Sequence, residues 1–156
     1  VNAISASCYH TLKMLRKIFK WLLIITRKTI THALLTSKLD YGDILYTGIY
    51  KKLTRRLQTI QNSAARITLN LPRRTHITPH LKELHWFPIH KRAQFKLLTC
   101  TFKALRSTGP VYLNNRICFH KPSRLLRSSG LRLAHFPHIR NTRLGGRAFC
   151  YIAPKA

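Results

Sequence analysis

The chain is 156 residues long and 45% apolar, and its 29 Lys and Arg face three acids, for a formal charge of +26 and a sequence pI near 11.3. That length predicts one domain with a tail, and the apolar fraction suffices for a core. Three carboxylates argue against two-metal phosphoryl chemistry, which needs them clustered, and the cationic excess calls for a polyanion: nucleic acid, an anionic membrane surface, or the balancing remainder of a larger protein.

Helical periodicity predicts a first helix over 3–20, with Tyr9, Leu12, Leu15, Ile18 and Phe19 on one stripe and Lys13, Arg16, Lys17 and Lys20 elsewhere. A second helix covers 27–39, with Ile30, Ala33, Leu34 and Ser37 facing the packing side. Asp40-Tyr41-Gly42-Asp43 breaks the chain, Gly42 relieving the backbone, and an apolar piece at 44–49 leads onward. The central helix follows at 51–71. Leu53, Leu57, Ile60, Ala64, Ile67 and Leu71 recur at steps of four or three, and the opposite face carries Arg55, Arg56, Gln58, Asn62, Ser63, Arg66 and Asn70. One side of this helix is made to pack and the other to meet something polar. Pro72 ends it, since proline cannot continue the ladder and disfavours helix at the residue before it.

Arg73 and Arg74 lie in the linker that follows, and Thr78 with Pro79 predicts a short helix through an N-cap and an N1 proline. His85-Trp86-Phe87-Pro88 makes an aromatic corner before a helix at 89–106. The apolar set of that helix, from Ile89 and Ala93 through Leu97, Leu98 and Phe102 to Leu105, is broad enough for burial on more than one side. Gly109-Pro110 stops it, and 111–117 offers one more turn. From Cys118 the character changes: Pro122, Gly130, Pro137, Gly145, Gly146 and Pro154 punctuate a stretch with Lys121, Arg124, Arg127, Arg132, Arg140, Arg143, Arg147 and Lys155 and no acid. Short strands at 131–136 and 148–152 fit the pattern there. The predicted fold is all-α, a small bundle of three to four principal helices over 1–117, with a basic, largely extended tail over 118–156.

Candidate chemistry is sparse. Cys8, Cys100, Cys118 and Cys150 form no Cys-x-x-Cys pair, so they read as reduced thiols of an intracellular protein, nuclear or cytoplasmic. Val1 in place of an initiating Met reads as an excerpt. The apolar run 21–25 is too short to span a bilayer and is flanked by Lys20 and Arg27. His76, His80, His85 and His90 are close in sequence but do not share a helix face, and nothing completes a zinc set at the usual spacing. Asp40 and Asp43 read as a helix-terminating turn. The main signal is the unpaired cations: Arg55, Arg56, Arg66, Arg73, Arg74, Lys91, Arg92 and Lys96 could line a nucleic-acid groove, with Trp86 and Phe87 either packed in their corner or stacking on bases.

Taken as a set, several stretches carry a resemblance. They are Thr36-Ser37-Lys38-Leu39-Asp40-Tyr41, Gln61-Asn62-Ser63-Ala64-Ala65-Arg66, His76-Ile77-Thr78-Pro79, Leu81-Lys82-Glu83-Leu84-His85-Trp86-Phe87-Pro88-Ile89 and Thr101-Phe102-Lys103-Ala104-Leu105, with Pro122-Ser123-Arg124, Gly146-Arg147-Ala148-Phe149 and Ala153-Pro154 downstream. In this order they resemble the C-terminal part of reverse transcriptases from LINE-type, non-LTR retrotransposons. The resemblance implies a helical thumb-like region that grips a template–primer duplex without sequence specificity. It implies no catalytic residue in this chain and no cofactor, Mg2+ belonging to a palm whose Tyr-x-Asp-Asp hairpin lies upstream. Gly42 departs from the pattern, which commonly has a cysteine there, and the expected Trp-Asn motif after Pro154 is missing. The alternatives are a transposon relic without a retained function and a basic protein binding membrane surfaces through its first helix and Trp21.

Overall fold

Helix α1 (Asn2–Ile18) buries Ser5, Cys8, Leu12 and Leu15, and Phe19 in the following 3-10 turn (Phe19–Trp21) extends the stripe at steps of three and four. The computed structural model of the chain describes residues 1–120, 124, 133–141 and 145–155, and the fold is all-α. The buried stripe of α1 is displaced from the expected one: Tyr9 and Ile18 are exposed, and Ser5 and Cys8 take the inner positions. Small residues there let α1 lie close along its neighbour.

Helix α2 (Ile24–Thr31) runs through a wide π-helical turn (His32–Thr36) into α3 (Ser37–Asp40). The π turn shifts the face by one residue. Thr31 is already buried at the end of α2, and across the π turn Leu35, Thr36 and Leu39 face inward, whereas Ile30, Ala33 and Leu34 are the expected packing residues. Gly42 adopts a left-handed conformation with φ 68° and turns the chain into a 3-10 piece (Asp43–Tyr46), as the break at 40–43 required.

Helix α4 (Lys51–Thr68) is the central element. It buries Leu57, Ile60, Ala64 and Ala65, and each fully buried Leu or Ile contributes about 1.5–3 kcal/mol by leaving water. Both α1 and α2 pack against it. Two polar residues share the buried face: Thr68 Oγ1 lies 2.8 Å from Thr31 Oγ1, and Gln61 Nε2 donates to Phe87 O at 2.9 Å. The helix ends before Pro72. Asn70 has φ 53°, the Leu71 N–H donates to Arg66 O and the Asn70 N–H to Ile67 O, a left-handed closure that satisfies the last carbonyls.

Helix α5 (Thr78–Glu83) begins with Pro79 in its first turn and closes in the same way at His85 (φ 54°), and α6 (Ile89–Leu105) does so at Ser107 (φ 55°). Gln58 Oε1 accepts the Ile89 N–H at 2.9 Å, so α4 holds the start of α6 by side chain as well as by packing. An ion pair between Arg92 and Asp40 fixes that same first turn to the end of α3.

Packing divides the chain into Val1–Arg92 and Ala93–Ala156, with α6 running across the division. The second unit has its own small core: Ala104 and Ile117 with Ala153, flanked by Leu105, Leu113, Ala134 and Phe149. Among its described residues are α7 (Val111–Asn114), an antiparallel bridge between Phe119 and Ala134, α8 (Phe149–Ile152) and a 3-10 turn (Ala153–Lys155). The expected strand at 148–152 is thus helical, its backbone satisfied locally by the Ile152 N–H donating to Ala148 O at 3.0 Å. Of the other expected strand, 133–136 is extended around the bridge, while Leu131 and Arg132 lie outside the described residues, as do Lys121, Arg127 and Arg143.

Candidate nucleic-acid interface

Two helices present matched rows to one another within the first unit. On α1 and its extension, Tyr9, Lys13, Arg16 and Lys20 recur at steps of four, three and four; on α4, Thr59, Ser63 and Arg66 repeat the first two steps, and Asn70 lies just past the helix end. Residues so spaced stand one above another on a helix. Because α1 packs along α4, the rows become the walls of a groove of about 910 Å3, with Leu12, Phe19, Ile67 and Leu71 among its lining. Arg27 from α2 and Arg73 from the loop after α4 complete it. Six cations, Lys13, Arg16, Lys20, Arg27, Arg66 and Arg73, line one groove that contains no carboxylate among its described residues.

The wall from Lys13 to Lys20 spans about 10 Å at the helical rise, the axial length of about three phosphates of one duplex strand. Two unit charges held ~10 Å apart in water repel by about 0.4 kcal/mol, so an anion in the groove replaces repulsion by attraction. Arg66 has donors to spare. Its Nη2 donates to Thr75 O at 3.3 Å, while its Nε is shielded from solvent with no acceptor among the described residues. Arg27 is held by its Nε donating to Leu22 O at 2.9 Å. Two of the six cations are therefore partly positioned before any ligand arrives.

The eight residues singled out in the sequence separate. Arg66 and Arg73 line the groove. Arg56 donates to Asn2 Oδ1 at 3.1 Å and so ties α4 to the start of α1. Arg92 is committed to Asp40. Arg55, Arg74 and Lys91 are exposed but do not line the groove, and Lys96 is exposed on the part of α6 that belongs to the second unit. Lys13, Arg16, Lys20 and Arg27 are the members that inspection of single helices misses. The signal of the first three is present as the four-three-four row on α1 and its extension, legible only once α4 is known to be the neighbour, and Arg27 joins them from α2.

The aromatic corner is mainly packing. Trp86 is 9% exposed, and Phe87, 62% exposed, stands at a second concavity of about 600 Å3 lined also by Gln58, Asn62, Leu81 and Lys82. On the inner side of α1, burial pushes the Cys8 thiol up from its ordinary value, partly opposed by Lys38. The Tyr46 phenol is raised by burial first, and then by Cys8, Asp43 and Asp40. A thiol kept protonated by burial is a poor nucleophile. Asp43 is enclosed, Asp40 is engaged by Arg92, and Glu83 lies 3.4 Å from His80 Nδ1, so the three acids have three separate local roles. Among the described residues no three His, Cys, Asp or Glu side chains are grouped to hold a metal ion.

No protein-family model matches the chain, and no curated protein or solved structure is significantly similar to it.

Proposed function

We propose that this chain binds the sugar-phosphate backbone of nucleic acid, without sequence specificity, in the groove between α1 and α4. The reading takes the molecule as the thumb-like helical region of a non-LTR retrotransposon reverse transcriptase, gripping an RNA or RNA–DNA template–primer duplex. Polymerase chemistry and its Mg2+ would reside in a palm that is not part of this sequence. The observation that carries the proposal is the cationic groove: six Lys and Arg side chains, four of them on or beside matched helical rows, with no acid among the lining. The formal charge of +26 supports the same class of partner, since phosphate neutralisation releases counterions.

The test is fluorescence anisotropy with a labelled RNA–DNA duplex over a series of KCl concentrations. Lys13→Ser, Arg16→Ser and Arg73→Ser combined should weaken binding uniformly across sequences. The slope of log K against log salt should flatten by about 0.9 for each phosphate no longer neutralised, nearly three in all. An unchanged slope in the triple variant would place the binding surface elsewhere and overturn the assignment.

A further inference from the structure

The connection between α1 and α2 turns large apolar side chains outward. Trp21, Leu23 and Ile25 are 79%, 78% and 75% exposed, and Ile24 beside them is exposed as well. Met14 and Ile18, four residues apart on one face of α1, are also exposed. The turn is firmly built. Phe19 is buried beneath it, the Leu22 N–H donates to Phe19 O, the Arg27 N–H donates to Leu23 O, and the Arg27 guanidinium donates to Leu22 O. These hydrogen bonds fix the backbone of the knuckle while its apolar side chains stay exposed.

Its surroundings are cationic. Lys17 precedes the knuckle, Lys20 lies within it and Lys28 follows it, while the first acid of the chain is Asp40. The Lys20 ammonium lies 5.3 Å from the centre of the Trp21 ring, joining the cationic rim to the aromatic tip. An aliphatic and indole tip flanked by lysines and free of acids asks for a partner with an apolar interior and an anionic boundary. Nucleic acid supplies the charge but no aliphatic interior, and a neutral apolar protein face supplies the reverse.

We propose that the 18–25 knuckle inserts into the headgroup–acyl boundary of an anionic bilayer. Leu23, Ile24 and Ile25 enter the acyl region, Trp21 sits at the interface where its indole N–H stays wet, and the lysines keep their ammonium groups among the lipid phosphates. No helix among the described residues is long and apolar enough to cross a membrane, and the contact proposed here is peripheral and reversible. The knuckle shares Lys20 and Arg27 with the groove, but its apolar residues Trp21, Leu23 and Ile25 do not line it, so variants at those positions separate the two readings.

The experiment uses the full chain, freed of nucleic acid by nuclease, with vesicles of phosphatidylcholine alone or of phosphatidylcholine containing phosphatidylserine. Trp86 is already shielded at 9% exposure, so a blue shift on vesicle addition reports Trp21. The expected result is co-flotation and a blue shift with phosphatidylserine vesicles, both lost at high salt. Leu23→Ser combined with Ile25→Ser should lower partitioning at least about tenfold while leaving duplex binding unaltered and thermal stability no lower, because both side chains are exposed and a serine at the position that caps α2 adds a capping hydroxyl. An unshifted emission with anionic vesicles would overturn the proposal and leave a protein-docking face. Equal partitioning into neutral vesicles, or a double variant that partitions like the parent, would overturn it as well.

Discussion

Gln61 is the residue whose replacement most sharply tests how α4 organises the first unit. It is 2% exposed, its Nε2 donates to Phe87 O at 2.9 Å, and its Oε1 accepts from Gln58 Nε2 at 2.9 Å. Gln58 in turn holds the Ile89 N–H, so two side chains of α4 fix the chain on both sides of Pro88 where it enters α6. Gln61→Ala removes two hydrogen bonds worth about 1 kcal/mol each. It also opens a small void that adds roughly 1 kcal/mol more. The expected destabilisation of about 3 kcal/mol lowers Tm by roughly 6–12 °C in a chain of this size. Thermal unfolding followed by far-UV circular dichroism measures it, and Gln61→Met serves as the control that restores volume without the hydrogen bonds. Gln58→Ala should be less than additive with Gln61→Ala, since each removes part of one bracket. A Gln61→Ala protein within about 0.5 kcal/mol of the parent would refute the bracket, because losing both hydrogen bonds and the buried volume costs more than that.

Two further outcomes follow from the backbone and from burial. His85→Gly should stabilise by about 1 kcal/mol, raising Tm by roughly 2–4 °C, because glycine adopts the left-handed conformation at φ 54° without the Cβ clash that histidine bears; a lowered Tm would mean the imidazole itself contributes. Cys8 and Tyr46 have folded-state pKa values raised above ordinary values of 9.0 and 10.0, so their stabilising contribution is complete below pH 9 and is lost as pH rises through the raised values. Stability should therefore fall on going from pH 8 to pH 11, and Cys8→Ala should flatten the first part of that fall; a parent curve level across the range would contradict the burial argument.

Much of the fold is legible in the sequence. The four-three spacing of Leu57, Ile60 and Ala64 defines the packing face of α4, and Gly42 marks the turn after α3. Thr78 and Pro79 locate the start of α5, but the capping position is Ile77, Thr78 is the first helical residue and its side chain makes no capping hydrogen bond. The rest depends on local geometry that composition does not encode. The π turn at His32–Thr36 shifts Leu35 and Leu39 inward, and a fixed 3.6-residue period cannot anticipate an extra residue in one turn. Asn70, His85 and Ser107 each close a helix in the left-handed conformation, so α4 stops at Thr68 without needing Pro72. Gln61 and Thr68 are polar in type yet buried, because each finds a hydrogen-bond partner inside, Phe87 O and Thr31 Oγ1.

The groove shows the same division between local and tertiary information. Arg66 and Arg73 are identifiable as unpaired cations on or beside α4, whereas Lys13, Arg16 and Lys20 become candidates only through the packing of α1 along it. Arg92 illustrates the opposite case. It reads as a free cation on its own helix, yet it is engaged by Asp40, more than fifty positions earlier in the chain.

The central claim is that nucleic acid occupies the α1–α4 groove, and lysine acetylation with and without a bound RNA–DNA duplex tests it most directly. Lys13 and Lys20 line the groove, whereas Lys51 and Lys82 are exposed outside it. Mass spectrometry of the acetylated chain should show Lys13 and Lys20 protected by the duplex, with Lys51 and Lys82 modified as fast as in the free protein. Equal protection at all four lysines, or protection at Lys51 and Lys82 with Lys13 and Lys20 left reactive, would contradict the account.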